Sequence, residues 1–104
     1  MTNSHKSLLL IFIFCLTWVF AGTDGTIRGK VTDEESTMEL PGATIYLPEL
    51  GIGAAADPGG NFIILNIPVG TYDVVVQMVG YQKKTYKEIQ VVMDQTVWLN
   101  PVLP

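Results

Sequence analysis

Frequent chain reversal is the feature that most constrains this sequence. All ten glycines and all six prolines occur after residue 21, so no long uninterrupted element fits there. Between these turn residues lie short segments rich in Val, Ile, Thr and Tyr, with no sustained apolar stripe at helical spacing. The pattern predicts seven strands, at 26–32, 43–48, 53–57, 61–67, 71–79, 83–92 and 96–102. Seven short strands separated by turns favour a β-sandwich.

Side-chain alternation predicts which strand faces are buried. In segment 26–32, apolar residues and glycine alternate with Arg28, Lys30 and Thr32, and segment 43–48 has a similar pattern, so each has one solvated face. Segment 71–79 has apolar residues on both faces, which predicts a central strand. The predicted centre of the core consists of Ile45, Phe62, Tyr72, Val74 and Val76.

The N-terminal segment has the pattern of a secretory signal peptide. Lys6 precedes an uncharged apolar run over 7–21, and small residues before the junction predict cleavage between Ala21 and Gly22. The predicted organisation is therefore a signal peptide at 1–21 and one domain at 22–104. A transmembrane anchor is the alternative, but the run has about 15 residues where a single span needs about 20. Cys15 lies in the middle of the run, which argues against lipoprotein processing.

Composition after residue 21 excludes several classes of function. This part contains five Lys and Arg residues and ten Asp and Glu residues, which gives a net charge of −5. It contains neither histidine nor cysteine. An acidic balance argues against a nucleic-acid partner, because phosphate binding needs clustered cations. Without histidine or cysteine, a zinc peptidase site and the usual Ser/His/Asp and Cys/His sites cannot form. Adjacent carboxylates at 33–35 point to opposite sides of an extended chain, so we predict a solvated acidic loop, no enzyme and no cofactor.

The segment 57–62, Asp-Pro-Gly-Gly-Asn-Phe, is typical of a tight turn that leads into the core. Its proline presets φ, its glycines accept positive φ, and the carboxylate of Asp57 can accept backbone N–H groups across the loop. A calcium site is the alternative. Asp57 and Asn61 supply only two ligands, however, and calcium takes six to eight oxygens.

Two tyrosines follow glycine turns. Tyr72 comes after Pro68 and Gly70, and Tyr81 directly follows Gly80. We expect both rings to pack on the core with the phenol oxygen in water, the alternative being stacking on a sugar or peptide.

Five motifs in this order resemble the carboxypeptidase regulatory-like domain family: 27–33, 40–45, 57–62, 66–72 and 80–81. The resemblance implies a seven-stranded antiparallel transthyretin-like (Greek-key) β-sandwich. Hydroxyisourate hydrolases share that fold, but a resemblance to them would imply catalytic histidines, and this chain has no histidine after residue 21. The positions that carry the family pattern are Gly29, Asp33, Pro41, Gly42, Asp57, Gly60, Phe62, Pro68, Gly70, Tyr72, Gly80 and Tyr81.

The resemblance also implies a setting. Domains similar to this one often precede the plug and barrel of TonB-dependent outer-membrane receptors, as periplasmic N-terminal extensions. A signal peptide followed at once by such a domain fits this arrangement, and the sequence is then expected to be a receptor fragment. Membrane contact would come only through a downstream barrel. The alternative is a complete, small exported protein, so the expected location is the periplasm and outer membrane, or outside the cell.

A protein partner is the expected ligand. Five apolar residues are predicted on faces opposite the core, where they would form an interface: Ile63, Leu65, Val75, Val79 and Trp98. A carbohydrate-binding or adhesion module is the second hypothesis, with Tyr46, Tyr86 and Trp98 as candidate sugar-stacking residues. A spacer without a specific partner is the third.

Overall fold

A computed structural model describes residues 24–104, which form nine short β-strands. No helix in this range is long and apolar enough to span a bilayer. The predicted signal peptide at 1–21 and its cleavage site at Ala21 and Gly22 lie outside the described residues. The strands are β1 Asp24–Lys30, β2 Thr32–Asp33, β3 Thr44–Leu47, β4 Ile52–Ala55, β5 Asn61–Pro68, β6 Gly70–Gln77, β7 Lys84–Val91, β8 Thr96–Trp98 and β9 Val102–Leu103.

The strands form two main sheets and one small one. The larger main sheet has the order β4-β3-β6-β7 and is antiparallel throughout. The smaller main sheet has the order β5-β1-β8, in which β1 is antiparallel to β5 and parallel to β8. A short parallel pair, β2 with β9, extends the contact between the first and last parts of the described chain. The all-β fold class is confirmed.

The structure differs in two details from the expected seven antiparallel strands: residues 24–104 form nine strands, and two of their six pairings are parallel. The first predicted strand divides at Val31, whose N–H donates to the Gly60 carbonyl at 2.9 Å while Thr32 begins a new pairing with Val102. The last predicted strand divides before Val102. There the side chain of Asn100 accepts the Lys30 N–H at 3.1 Å, and Pro101 has no N–H to donate. The two terminal pairings are parallel.

The core lies between the two main sheets. The predicted alternation in β1 and β3 is confirmed, because Ile27, Ile45 and Leu47 are fully buried. Strand β6 is internal, as predicted, and the predicted core residues Val74, Val76, Ile45 and Phe62 are all buried. Tyr72 is only partly buried and packs at the margin of this core.

The turn at Asp57 forms as its residues predict. Its Oδ1 accepts the N–H groups of Gly59 and Asn61, both at 2.9 Å. Gly60 has φ of +79°, and a Cβ there would lie 2.9 Å from the Val31 carbonyl oxygen, so glycine is required. Within residues 24–104, no group of three or more Asp, Glu, His or Cys side chains is placed to hold a metal ion.

Candidate interaction surface

The outward side of the β5-β1-β8 sheet carries a row of large side chains. Strand register places Arg28 opposite Ile63 on one side and opposite Trp98 on the other. Neighbouring residues such as Ile27 and Phe62 are buried, so alternation directs this row into solvent. Ile63, Leu65 and Trp98 are 43%, 57% and 64% exposed. We call Arg28, Ile63, Leu65 and Trp98 the outer-sheet face.

Arg28 stabilises the orientation of Trp98. Its guanidinium carbon lies 4.8 Å from the centroid of the indole ring, the geometry of a cation–π contact. Such a contact contributes about 0.5–1 kcal/mol at an exposed site. The sequence predicts that both side chains point outward but gives no sign that β1 and β8 are adjacent, so this pairing is found only in the structure.

A β-bulge ends the outer-sheet face on β5. The register of β1 with β5 shifts between Gly25 and Ile27, where β5 has one extra residue. Asn66 lies within this shift and has φ of 57°, a left-handed conformation that asparagine tolerates better than most residues. The bulge leaves Leu65 exposed as the last apolar residue of the face.

The other two residues of the predicted interface do not join this face. Val75 is only 7% exposed, because the internal strand β6 places it between Tyr46 and Thr85 of the flanking strands. The expectation that Val75 is exposed is therefore wrong. Val79 is 96% exposed but follows β6 in the other sheet, where it lines a shallow pocket of about 410 Å³ with Gln77.

The three aromatic residues considered for sugar stacking do not converge. Tyr46 lies on the outward side of the larger sheet, and Trp98 lies on the outward side of the smaller one. Tyr86 packs against the core, and its hydroxyl oxygen accepts the N–H of Val102 at 3.2 Å. A flat sugar platform needs aromatics on one side, so this combination cannot form one.

The hydroxyl groups of Tyr72 and Tyr81 each form a hydrogen bond to a turn or loop residue. The hydroxyl of Tyr72 donates to the Pro68 carbonyl at 2.8 Å, and the hydroxyl of Tyr81 donates to Oδ2 of Asp33 at 2.6 Å. The expectation that both phenol oxygens face only water is therefore wrong. The Tyr81–Asp33 bond joins residues 48 positions apart, and local sequence spacing does not reveal such a pair.

Asp33 is the most perturbed carboxylate of the described residues. The hydrogen bond from Tyr81, followed by backbone N–H donors at Ser36 and Glu35, lowers the pKa of Asp33 to about 2. The same bond raises the pKa of Tyr81. All of these donors stabilise the charged carboxylate, which gives Asp33 a structural role at the base of the acidic loop.

The remaining carboxylates of the acidic loop are exposed. Glu34 and Glu35 face solvent, and Glu39 forms an ion pair with Lys30 at 3.2 Å. Both partners of the pair are nearly half exposed, so water and salt screen it and it contributes little to stability. This arrangement holds no facing pair of carboxylates for acid–base chemistry.

The fold and the surface define a β-sandwich module with an exposed apolar face and with turns and loops joined by tyrosine hydrogen bonds. The sequence model of the CarboxypepD_reg-like domain matches residues 27–103, and the chain belongs to that family. A comparison with curated proteins finds no match.

Solved structures share the fold at low sequence identity. A chain from an interface mutant of a type II Cohesin-X-Dockerin complex of Acetivibrio cellulolyticus aligns with a TM-score of 0.67 at 20% identity, covering 76% of this chain and 56% of that chain. A candidate carbohydrate-binding protein from Bacteroides uniformis aligns at 0.61 and 15% identity, covering 79% and 42%. BcpA, the major pilin subunit of Bacillus cereus, aligns at 0.54 and 20% identity, covering 78% and 30%. The chain thus spans about half or less of the length of these proteins.

Proposed function

We propose that this chain is a non-catalytic exported module that works through protein contacts, as the N-terminal periplasmic extension of a TonB-dependent outer-membrane receptor. The family and the exposed apolar face support a binding role. The predicted signal peptide at 1–21 supports export to the periplasm. In this role the sandwich connects the receptor to periplasmic proteins by steric contact.

The outer-sheet face is the observation that carries the proposal. Ile63, Leu65 and Trp98 expose apolar surface on one side of one sheet, and Arg28 adds a directed positive charge. Large apolar side chains grouped on one face typically mark an interaction site, and Trp and Arg are enriched among the residues that dominate binding energy.

Two measurements test the genetic and export parts of the proposal. The reading frame downstream of codon 104 should continue in phase into a TonB box, a plug and a barrel. The exported protein should begin at Gly22 when its intact mass is measured. A stop codon with no such continuation removes the receptor role, and an exported chain that retains the apolar run removes the cleavage step.

Photo-cross-linking tests the contact itself. A photoreactive amino acid at Trp98 in the complete gene should give adducts with the receptor plug or with periplasmic proteins of the TonB system. The matched control is the same amino acid at Thr44, which is exposed on the outward side of the other sheet. Equal adducts from both positions, or none from Trp98, contradict the proposal.

Carbohydrate binding or adhesion is the second candidate, and the exposed indole of Trp98 is the observation that favours it. Arg28 already covers part of that ring, and no second aromatic of the proposed set lies on the same face. A glycan array should therefore show no binding that depends on Trp98. A signal that Trp98→Ala abolishes would make the sugar-binding role the better one.

A further inference from the structure

The edge of the β5-β1-β8 sheet at β5 has unpaired backbone groups. The N–H of Val31 donates to Gly60 on the β5 side of β1, whereas Leu99 donates to the carbonyl of Arg28 on the β8 side. Because donors alternate along a strand, β1 pairs with the backbones of Phe62 and Ile64. The backbone of Ile63 and the N–H of Leu65 then face away from β1.

No strand among residues 24–104 is hydrogen-bonded to this side of β5, although β4 of the other sheet lies close to it. The strand is last in its sheet, and only Asn61, at its start, has its outward groups satisfied, by Asp57. Ile63 and Leu65 therefore each have an exposed apolar side chain and backbone groups without a hydrogen-bond partner on a neighbouring strand. Edges of this kind favour addition of another strand.

Charge is sparse along this edge, where Asp57 caps the start of β5, and is more frequent on the edge at the far side of the other sheet. Asp57 is the only charged residue between Leu50 and Tyr72, a segment that includes both β4 and β5. Strand β7, in contrast, carries exposed charged residues including Lys84 and Lys87, which oppose strand addition. The excess of carboxylates lies elsewhere in the chain, so two acidic copies repel each other least if they meet at β5.

The edge beside Ile63 is open to solvent, since this side chain is 43% exposed. A shallow groove of about 270 Å³ lies there and is also lined by Arg28, Asp57 and Ala55 of β4. The residues of β4 after Ile52 are glycine and alanine, so β4 presents no large side chain to the edge.

We propose that β5 pairs with β5 of a second copy of this chain, in antiparallel orientation about a two-fold axis at Ile64. In this register the N–H of Leu65 donates to the carbonyl of the partner's Ile63, and the reciprocal bond forms by symmetry. Ile63 and the partner's Leu65 lie side by side on the outward face. The two three-stranded sheets become one six-stranded sheet, and the interface is isologous and closed.

This inference is independent of the receptor role, because it needs only the geometry and charge of β5. The first test is sedimentation of the protein made from the full 104-residue sequence in an exporting host, over a wide concentration range. The parent should show a reversible monomer–dimer equilibrium. Ile63→Lys and Leu65→Lys should each raise the dissociation constant at least tenfold, because each replaces an apolar side chain of the pairing edge with a charge and brings the two copies' lysines near each other across the axis.

Thr85→Lys on the charged edge is the matched control and should leave the dissociation constant within twofold of the parent value. A parent that stays monomeric, a dimer unaffected by Ile63→Lys, or a dimer equally weakened by Thr85→Lys overturns the proposal. Matching circular dichroism melts verify that the variants are folded.

Disulfide trapping tests the register even if a lysine variant fails to fold. A mixture of the Ile63→Cys chain with the Leu65→Cys chain should form a covalent heterodimer under mild oxidation. Either chain alone should not, and the parent in the same oxidant controls for Cys15. Efficient cross-linking of either variant alone, or no covalent heterodimer in the mixture, would contradict the assigned register.

Discussion

Replacing Gly29 with alanine tests how closely the first and last parts of the described chain pack. A Cβ at this position would overlap the Leu99 carbonyl oxygen and would lie 2.6 Å from its carbonyl carbon. These are backbone atoms and cannot rotate away as a flexible side chain can. The segment after β8 must therefore move away from β1.

The energetic cost follows from what that movement disrupts. Two hydrogen bonds flank the contact, from Leu99 N to the Arg28 carbonyl at 2.9 Å and from Lys30 N to Asn100 Oδ1 at 3.1 Å. Each contributes about 0.5–1.5 kcal/mol. Partial loss of the packing of Leu99 on the core adds about 1 kcal/mol. We expect Gly29→Ala to destabilise the protein by about 2–4 kcal/mol, out of a total of about 4–12 kcal/mol for a domain of this size.

Thermal and urea unfolding of the parent and variant measure this loss, which should lower Tm by about 8–30 °C. Gly42→Ala is the matched control. Gly42 has φ of +83° with no other atoms within 4 Å of its added Cβ, so only backbone strain of about 1–2 kcal/mol applies. The close approach of Gly29 to Leu99 would be refuted if Gly29→Ala melted at the same temperature as the parent. It would also be refuted if Gly42→Ala melted at a lower temperature than Gly29→Ala.

Four further substitutions test the core and the hydrogen bonds of the two tyrosines. Phe62→Ala should cost about 3–5 kcal/mol in urea unfolding, because Phe62 is 4% exposed; a variant that unfolds with the parent contradicts the core assignment. Tyr72→Phe should cost about 0.5–1.5 kcal/mol through loss of the bond to Pro68, and an unchanged unfolding midpoint would show that this bond is not stabilising. The pKa of Asp33 falls from 3.8 to about 2 on folding, so its stabilisation is complete above pH 3.8 and is lost as pH falls towards 2. The stability difference between the parent and Asp33→Asn should therefore shrink from pH 5 to pH 2, and Tyr81→Phe should reduce that pH dependence, whereas a constant difference refutes it.

Local sequence signals predicted the strands and turns well because their causes are local. Alternation in β1 and β3 identified Ile27 and Ile45 as buried, and the Asp57 turn formed with its carboxylate on backbone N–H groups. Apolar residues on both faces of segment 71–79 correctly predicted an internal strand. The same reasoning failed for Val75. In a strand with a neighbouring strand on each side, side chains of those two strands can cover a residue that points away from the core. The sequence does not show which strands are the neighbours.

The candidate surface was only partly predictable, because it depends on strand order. Ile63, Leu65 and Trp98 were correctly expected to be exposed, but their association on one sheet requires β1 to lie between β5 and β8. Parallel pairing of the terminal strands links residues about 70 positions apart, as at Arg28 and Trp98. No local spacing encodes that contact, which also explains why the Arg28–Trp98 and Asp33–Tyr81 pairs were missed.

The parallel terminal pairings determine how the domain responds to tension. Strands β1 and β2 run beside β8 and β9 in the same direction, so Asp24 lies at the start of the paired region and Leu103 at its end. A pulling force applied between these two ends loads the pairing hydrogen bonds in shear, and the bonds of each pairing must break together before the strands separate. Antiparallel termini would open one bond at a time, like a zipper. A tether that includes this sandwich should therefore transmit load while staying folded, and single-molecule pulling would measure the rupture force.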